Sequence, residues 1–267
     1  AGELQVVEFS FELVVPGPGG PRVLGIAVIA PAEGALSVDE RLRHARDAVL
    51  AAVPGAIPLP HAEASAAFVL DGVRWPDPAG IPWRYNPAGA PAHLDPAAAF
   101  SAIAAGAEGW TGVAGTSVSF AFQGETPIPT GCAGDPAVVG YAPDGENVVG
   151  WGAIAGGYLG YACWWRSASL VPGTPYFELQ EFDLVFSPFY PYTLESLQAL
   201  ALHEFGHALG LGHSDACPGA AMCEAAGAMV YRTPQPDDVA GVVALYGRLA
   251  DLFPPANRRI LPSLARD

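Results

Sequence analysis

Apolar positions divide the chain into a short strand-rich start and a longer part that mixes strands and helices. Residues 5–15 and 22–30 have strand-like composition, and the turn-forming stretch PGPGGP between them predicts a β-hairpin. Ser37 with Glu40 three residues later predicts the capped start of a helix. We therefore expect residues 1–68 to form a β-β-α unit, either an appendage or a pro-segment.

The following residues, 69–250, alternate short strands with helices and precede a tail at 251–267. Their apolar patterns predict strands at 68–70, 82–85, 117–122 and 176–186. Start and stop signals predict an Ala-rich helix from Asp95-Pro96 to about Trp110, a helix from Thr193 to Gly210, and a last helix that begins at Pro236-Asp237-Asp238 and buries Val239, Val242, Val243 and Tyr246.

The middle helix carries a pattern typical of a metal site, because residues 203–213 read H-E-x-x-H-x-x-G-x-x-H. Residues four apart project from one helix face, so His203 and His207 can bind the same ion. Gly210 can adopt the positive φ that ends a helix and turns the chain, which allows His213 to return as a third ligand. Zinc held by three imidazoles keeps a position open for a reactive water, and Glu204 stands where it can take that water's proton.

Chance explains this pattern poorly. With the His and Glu content of this chain, H-E-x-x-H should arise by chance in about one such chain in a hundred. The added requirement for Gly210 and His213 lowers the expectation to roughly two in a hundred thousand. We therefore predict a metal site rather than ordinary core histidines.

Charge and hydropathy exclude two classes of partner. The 267 residues include 12 Lys and Arg against 27 Asp and Glu, a net charge of −15 that repels phosphate backbones, so no nucleic-acid partner is expected. The uncharged run 148–165 is just long enough to cross a membrane, but its glycines favour a strand and loop beside a cleft. We predict no membrane insertion.

Four cysteines permit three pairings, and the sequence does not show which one forms. We favour Cys132 with Cys163 and Cys217 with Cys223, and the second pair would close a short loop just beyond the histidines. Zinc binding by four cysteines would require C-x-x-C spacings that are missing. Disulfides indicate an oxidising compartment, so a secreted protein is expected.

The extended motif resembles that of the metzincin metallopeptidases, and Ser214 after the third histidine resembles the matrixin branch, which includes matrix metalloproteinases. Other segments resemble bacterial matrixin-like catalytic domains in the same order, and the likeness covers about residues 69–250. These segments are 72–76, the helix that ends in Trp110, 144–151, 181–183 and 237–247.

This resemblance implies an α+β fold, a metzincin-like zinc peptidase domain with a twisted, mostly parallel sheet, an active-site helix and a C-terminal helix. It also implies a catalytic zinc bound by His203, His207 and His213, with Glu204 as the general base and acid of peptide hydrolysis. A small N-terminal β-β-α unit precedes this domain.

Metzincins place a methionine in a turn beneath the metal. Met229 is the better match to that position, and Met222 is the runner-up because it lies closer to His213. Tyr231 follows Met229 with the spacing of the metal-proximal tyrosine of astacins and serralysins, which departs from the matrixin pattern.

Further features of matrix metalloproteinases have no clear counterpart. A histidine-rich structural zinc site is not expected, because His44, His61 and His93 lie far upstream of the strands that would carry it. No cysteine precedes Cys132 in this sequence, so zinc blocked by a thiol from residues 1–68 is not expected. The resemblance also allows a calcium site, with candidate ligands Asp144, Glu146, Glu181 and Asp183. These residues are equally well interpreted as solvated loop carboxylates.

These features predict a secreted zinc-dependent endopeptidase that hydrolyses internal bonds of protein or peptide substrates. The alternative is a zinc-stabilised binding or adhesion module with a vestigial peptidase site, which the intact Glu204 disfavours. A third possibility is a latent zymogen in which residues 1–68 cover the cleft.

Overall fold

The computed structural model describes residues 6–15, 22–31, 57–58, 68–131, 143–154, 159–214, 219–223 and 230–247. The helix expected after Ser37 and the tail 251–267 lie outside these residues.

Strands and helices alternate through the described part of the chain. The strands are β1 (Val6–Val15), β2 (Arg22–Pro31), β3 (Ile57–Pro58), β4 (Val69–Leu70), β5 (Val73–Arg74), β6 (Ile81–Asn86), β7 (Phe120–Glu125), β8 (Val148–Trp151), β9 (Gly160–Leu170), β10 (Phe177–Phe186) and β11 (Leu211–Gly212). The helices are α1 (Pro96–Glu108), α2 (Leu194–Ala208) and α3 (Pro236–Tyr246).

One large sheet runs through the molecule in the order β3-β1-β2-β9-β10-β8-β6-β7, and β5 also pairs with β10. Strands β7, β6, β8 and β10 are parallel to one another, and β9 is antiparallel to β10. The sheet of residues 69–250 is therefore mostly parallel, which confirms the predicted α+β fold. The N-terminal hairpin adds antiparallel strands beyond β9.

Local signals set the starts of the helices where the sequence predicts them. Asp95 Oδ1 accepts a hydrogen bond from the Ala98 amide at 2.9 Å, and a proline follows at the first position of α1. Thr193 and Ser196 form a reciprocal capping box at the start of α2. The strand expected at 117–122 begins later, at Phe120, because its pairing with Ile81 of β6 determines where the strand starts.

An aromatic cluster joins α2 to the sheet. Phe205 of α2 is fully buried, and its ring contacts those of Trp83, Phe120 and Phe182, with centroids 5.4, 4.8 and 6.0 Å away. These three residues come from β6, β7 and β10. Because Phe205 lies between the two histidines of the motif, burying its ring fixes α2 against three strands.

Helices α1 and α2 approach each other closely at a glycine. A Cβ atom added to Gly106 of α1 would lie 2.6 Å from the Leu202 backbone nitrogen and 2.7 Å from the Ala201 Cβ. The Trp110 indole N–H beyond the end of α1 donates to the Leu202 carbonyl at 2.7 Å. Glycine therefore lets the two helices pack backbone to backbone.

Side chains from distant parts of the sequence bind the carbonyls at the end of α2. The Trp75 indole N–H donates to the Ala208 carbonyl at 2.8 Å, and the Tyr246 hydroxyl donates to the Leu209 carbonyl at 2.6 Å. The same hydroxyl accepts from the Trp75 amide at 3.1 Å. These bonds satisfy carbonyls that the helix itself leaves without partners.

The uncharged run 148–165 contributes to β8 and β9, with 155–158 outside the described residues. Within the described part of the chain, no helix is both long and apolar enough to cross a membrane.

The close contact at Gly106 predicts that Gly106→Ala lowers the free energy of unfolding by about 1–3 kcal/mol, since the two backbones must separate to admit a methyl group. Urea denaturation followed by circular dichroism measures the change. Gly109→Ala is the matched control, because the closest atom to its Cβ would be the Leu202 Cδ1 methyl at 2.6 Å, which can rotate away, and the nearest backbone atom would be the Gly106 carbonyl oxygen at 3.2 Å. Equal stability of the two variants would contradict the assignment of a backbone contact to Gly106.

Candidate metal centre

Helix α2 places His203 and His207 one turn apart on a single face. Both imidazoles are fully buried, and Glu204 beside them is also buried. The exposed end of the helix is its first turn, where Glu195 suits the positive end of the helix dipole. His203, Glu204 and His207 therefore lie in the part of α2 that is packed against the core.

Gly210 turns the chain after α2. Its φ is +92°, in the left-handed region, and a Cβ there would lie 2.4 Å from the Val73 carbonyl oxygen. Leu211 and Gly212 then pair with Leu70 and Val69 as a short antiparallel ladder. This ladder fixes the direction of the chain just before His213.

The three motif histidines converge. His203 Nε2 lies 3.0 Å from His207 Nε2, and His213 Nε2 lies 3.0 Å from the same atom. One ligand atom from each ring falls within 4.8 Å of the others, and this cluster could hold a metal ion. The structure thus brings together the three residues that the sequence analysis selects.

The outer ring nitrogens determine which tautomers are present. His203 Nδ1 lies 2.7 Å from the Ala221 carbonyl oxygen, and His207 Nδ1 lies 2.7 Å from the Leu211 carbonyl oxygen. A carbonyl oxygen only accepts, so each Nδ1 must carry the donated hydrogen. In the neutral rings, Nε2 then presents a lone pair toward the centre.

Lone pairs at this separation repel one another unless a cation or a proton lies between them. Zinc–nitrogen bonds of about 2.0–2.1 Å in a tetrahedral site bring ligand nitrogens to about the separation found here. Carbonyl partners on the outer nitrogens are also the usual support of metal-bound histidines. The donor set therefore fits a zinc ion.

Glu204 faces the strand that borders the centre. A Cβ added to Gly160, the first residue of β9, would lie 3.0 Å from Glu204 Oε1. Tyr192 lies on the same side, and its hydroxyl donates to the Leu159 carbonyl. Burial raises the pKa of the Tyr192 phenol well above its ordinary value, and the negative charge of Glu204 raises it further. The carboxylate thus lies at the junction of α2 and β9.

Trp164 of β9 forms another wall of the centre. Its ring lies parallel to the His207 imidazole, with an angle of 12° and centroids 6.3 Å apart. Trp164 is almost fully buried in the core. Strand β9 therefore contacts the site at Gly160 and again at Trp164.

Met222 lies beneath the two helical histidines. A Cβ added to Gly206 would approach Met222 Sδ to 2.3 Å, so the thioether packs directly on the helix at that glycine. Met229, which the sequence analysis favours for this position, lies outside the described residues. The runner-up Met222 therefore packs against α2 at Gly206, and the assignment of Met229 stays a prediction.

A buried carboxylate of α3 holds the Met222 segment. Asp238 accepts hydrogen bonds from the amides of Ala221 and Met222, at 2.8 and 3.0 Å, and from the Gln235 amide at 2.6 Å. Ala221 is also the residue whose carbonyl accepts from His203. The sequence predicts Asp238 only in the first turn of a helix, since a carboxylate at a helix start gives no sign of its distant partners.

Ser214, which follows His213, also links the centre to the Met222 segment and to α3. Its amide donates to the Met222 carbonyl at 2.7 Å, and its hydroxyl donates to Asp237 Oδ2. The chain on both sides of the centre is therefore attached to the start of α3.

The acidic residues considered for calcium bind backbone groups and an arginine. Glu181 accepts from the Asp144 and Gly145 amides. Glu146 forms an ion pair with Arg84 at 3.3 Å.

Asp183 is buried nearby and accepts from the Gly131 and Val148 amides at 2.9 and 2.8 Å. Burial raises the pKa of the Asp183 carboxyl well above its ordinary value, against the effect of those two hydrogen bonds. Glu181 and Asp183 therefore fasten loop backbone to β10 and are not the solvated carboxylates of the sequence interpretation.

The chain matches a known family of proteins. The model of the matrixin family, peptidase M10, matches residues 86–247, more than half of the chain. Matrix metalloproteinase-19 of Mus musculus is 47% identical over 53 residues, which are 20% of this chain and 10% of that protein. The chain thus spans about a tenth of that relative's length. The family match covers α1, α2, α3 and every histidine of the centre, and we conclude that this chain belongs to the matrixin family of peptidases.

Proposed function

We propose that this chain is a secreted zinc-dependent endopeptidase in which His203, His207 and His213 bind zinc through Nε2 and Glu204 is the catalytic base. The observation that carries the proposal is the convergence of the three Nε2 atoms beside a buried carboxylate in a matrixin. The matrixin family is zinc-dependent, and the donor set fits that metal.

Zinc and Glu204 would have separate roles in the hydrolysis. Zinc, when bound, would supply Lewis-acid chemistry that polarises a water molecule and the scissile carbonyl. The Glu204 carboxylate accepts a proton from the attacking water and delivers it to the leaving amine nitrogen. No serine or cysteine nucleophile is required for this hydrolysis.

Burial strengthens each of these interactions. His203, Glu204 and His207 are all fully buried, so their charges and dipoles act in a medium of low dielectric constant. The hydrogen bonds from His203 and His207 to backbone carbonyls hold both rings in one orientation. The lone pairs are therefore oriented before the ion or the substrate binds.

We extend the proposal to the extracellular compartment and to protein or peptide substrates. The expected disulfides Cys132–Cys163 and Cys217–Cys223 support secretion, although Cys132 and Cys217 lie outside the described residues. Calcium has less support than zinc, because Glu181 and Asp183 already accept backbone hydrogen bonds. The competing function is a zinc-stabilised binding module, and the first experiment below separates the two.

Glu204→Ala is expected to lower casein hydrolysis by about 10²–10⁴-fold, because the general base is lost, while the zinc content stays the same. Glu195→Ala is the matched control, since that carboxylate lies in the exposed first turn of the same helix. A chelator should abolish hydrolysis, and added zinc should restore it. Retained turnover in Glu204→Ala would exclude the proposed base. Wild-type protein that binds zinc without chelator-sensitive cleavage would favour the binding module.

Asp238→Ala is expected to weaken zinc binding by about 10–100-fold, because the Ala221 carbonyl that orients His203 loses its anchor. Competition with a chromophoric chelator measures the zinc Kd at a temperature where the variant is folded. Asp77→Ala is the control, because that exposed carboxylate accepts a local hydrogen bond from the Ala79 amide. An unchanged Kd in folded Asp238→Ala would show that the Met222 segment does not position the histidine.

A further inference from the structure

The N-terminal hairpin pairs with the strand that borders the metal centre. Strand β9 pairs along one edge with β10 and along the other with β2, from Ile29 opposite Gly160 to Val23 opposite Arg166. Strand β2 lies outside the residues matched by the family model. Among the described residues inside that match, β9 has β10 as its only strand partner, so β2 covers what is otherwise an edge of the family's sheet.

The covered part of β9 is the part beside the reactive groups. Gly160 lies next to Glu204 Oε1, and Trp164 lies against the His207 ring. Both residues fall within the stretch that pairs with β2. The hairpin therefore occupies backbone hydrogen-bonding groups that are within reach of the centre.

A peptide substrate needs those same groups. Extended peptides commonly bind by adding a strand to an exposed sheet edge, where main-chain hydrogen bonds provide much of the affinity. Strand β9 borders both Glu204 and His207, so its edge is a candidate for such binding. One edge accepts one strand at a time, so β2 and an extended substrate exclude each other.

The hairpin can leave without opening the remaining sheet. Strands β3, β1 and β2 form one end of the strand order, and within the described ranges the strand pairing that joins them to the rest of the sheet is that of β2 with β9. Removal of that end leaves β9-β10-β8-β6-β7 continuous. Displacement therefore breaks one ladder and no strand pair inside the matched domain.

We propose that β2 is an internal competitor for the substrate-binding edge of β9, so that the chain is latent until the hairpin is displaced or removed. This inference rests on the proposed peptidase function, since it concerns access of a peptide to the same centre. This form of latency differs from the blocking of zinc by a cysteine, because the competing groups are the backbone amides and carbonyls of a strand.

The first test replaces Ile26 and Ala27 together by proline. Neighbouring residues of a central strand direct their N–H groups to opposite sides, so the pair removes one donor toward β9 and one toward β1. Ile26→Val with Ala27→Val is the matched control, because it keeps both donors and the preference for a strand.

The expected result is a fall of at least about tenfold in the KM for an extended peptide substrate, with kcat and zinc content unchanged, because a larger fraction of the molecules has a free edge. Equal KM values in the proline and valine variants, with chelator-sensitive cleavage in both, would overturn the competitor and leave the peptidase assignment intact. Zinc-loaded variants without any chelator-sensitive cleavage would overturn both proposals.

A second test avoids substitutions in the strand. A recognition sequence for a specific protease is inserted between Pro60 and His61, and the folded full chain is then cut there. Separation of the N-terminal fragment should lower KM by a similar factor. A synthetic peptide with the sequence of residues 22–31 should raise KM again at constant kcat, whereas a scrambled peptide should not. A fragment that separates only on unfolding, or an unchanged KM after separation, would identify the hairpin as a permanent part of the sheet.

Discussion

The centre depends on the direction of three lone pairs. His203, His207 and His213 bring their Nε2 atoms to about the separation of zinc ligands, an arrangement that is unfavourable without a positive charge between them. The fold must therefore supply the rigidity that holds these rings together. Much of the remaining architecture can be understood as the means of providing it.

That rigidity comes from attaching helix α2 on all sides. Phe205 fixes the helix to the sheet, Gly106 allows a neighbouring helix to pack against its backbone, and Trp75 and Tyr246 bind its last carbonyls. Asp238 then holds the segment beneath the helix through three backbone amides. Aromatic packing, a close helix contact and one buried carboxylate thus fix the positions of the buried histidines.

Strand β9 has a different role along each of its two edges. On one side, β9 pairs with β10 and brings Gly160 and Trp164 to the walls of the centre. On the other side, its edge carries the N-terminal hairpin. In the proposed latent state, the backbone groups of this edge would control access to the centre, and the N-terminal residues would affect activity without supplying a ligand.

The sequence by itself determined the local features. The spacing of His203, Glu204, His207, Gly210 and His213 predicted the centre. The caps at Asp95 and Thr193 and the proline at position 236 predicted the helix starts, because these signals act within a few residues of the chain. Only the tertiary contacts show that Met222 packs on α2 at Gly206, that Asp238 anchors the Met222 segment, and that β2 pairs with β9. Each of these depends on partners that are remote in sequence, and local patterns do not encode which distant backbone groups will meet.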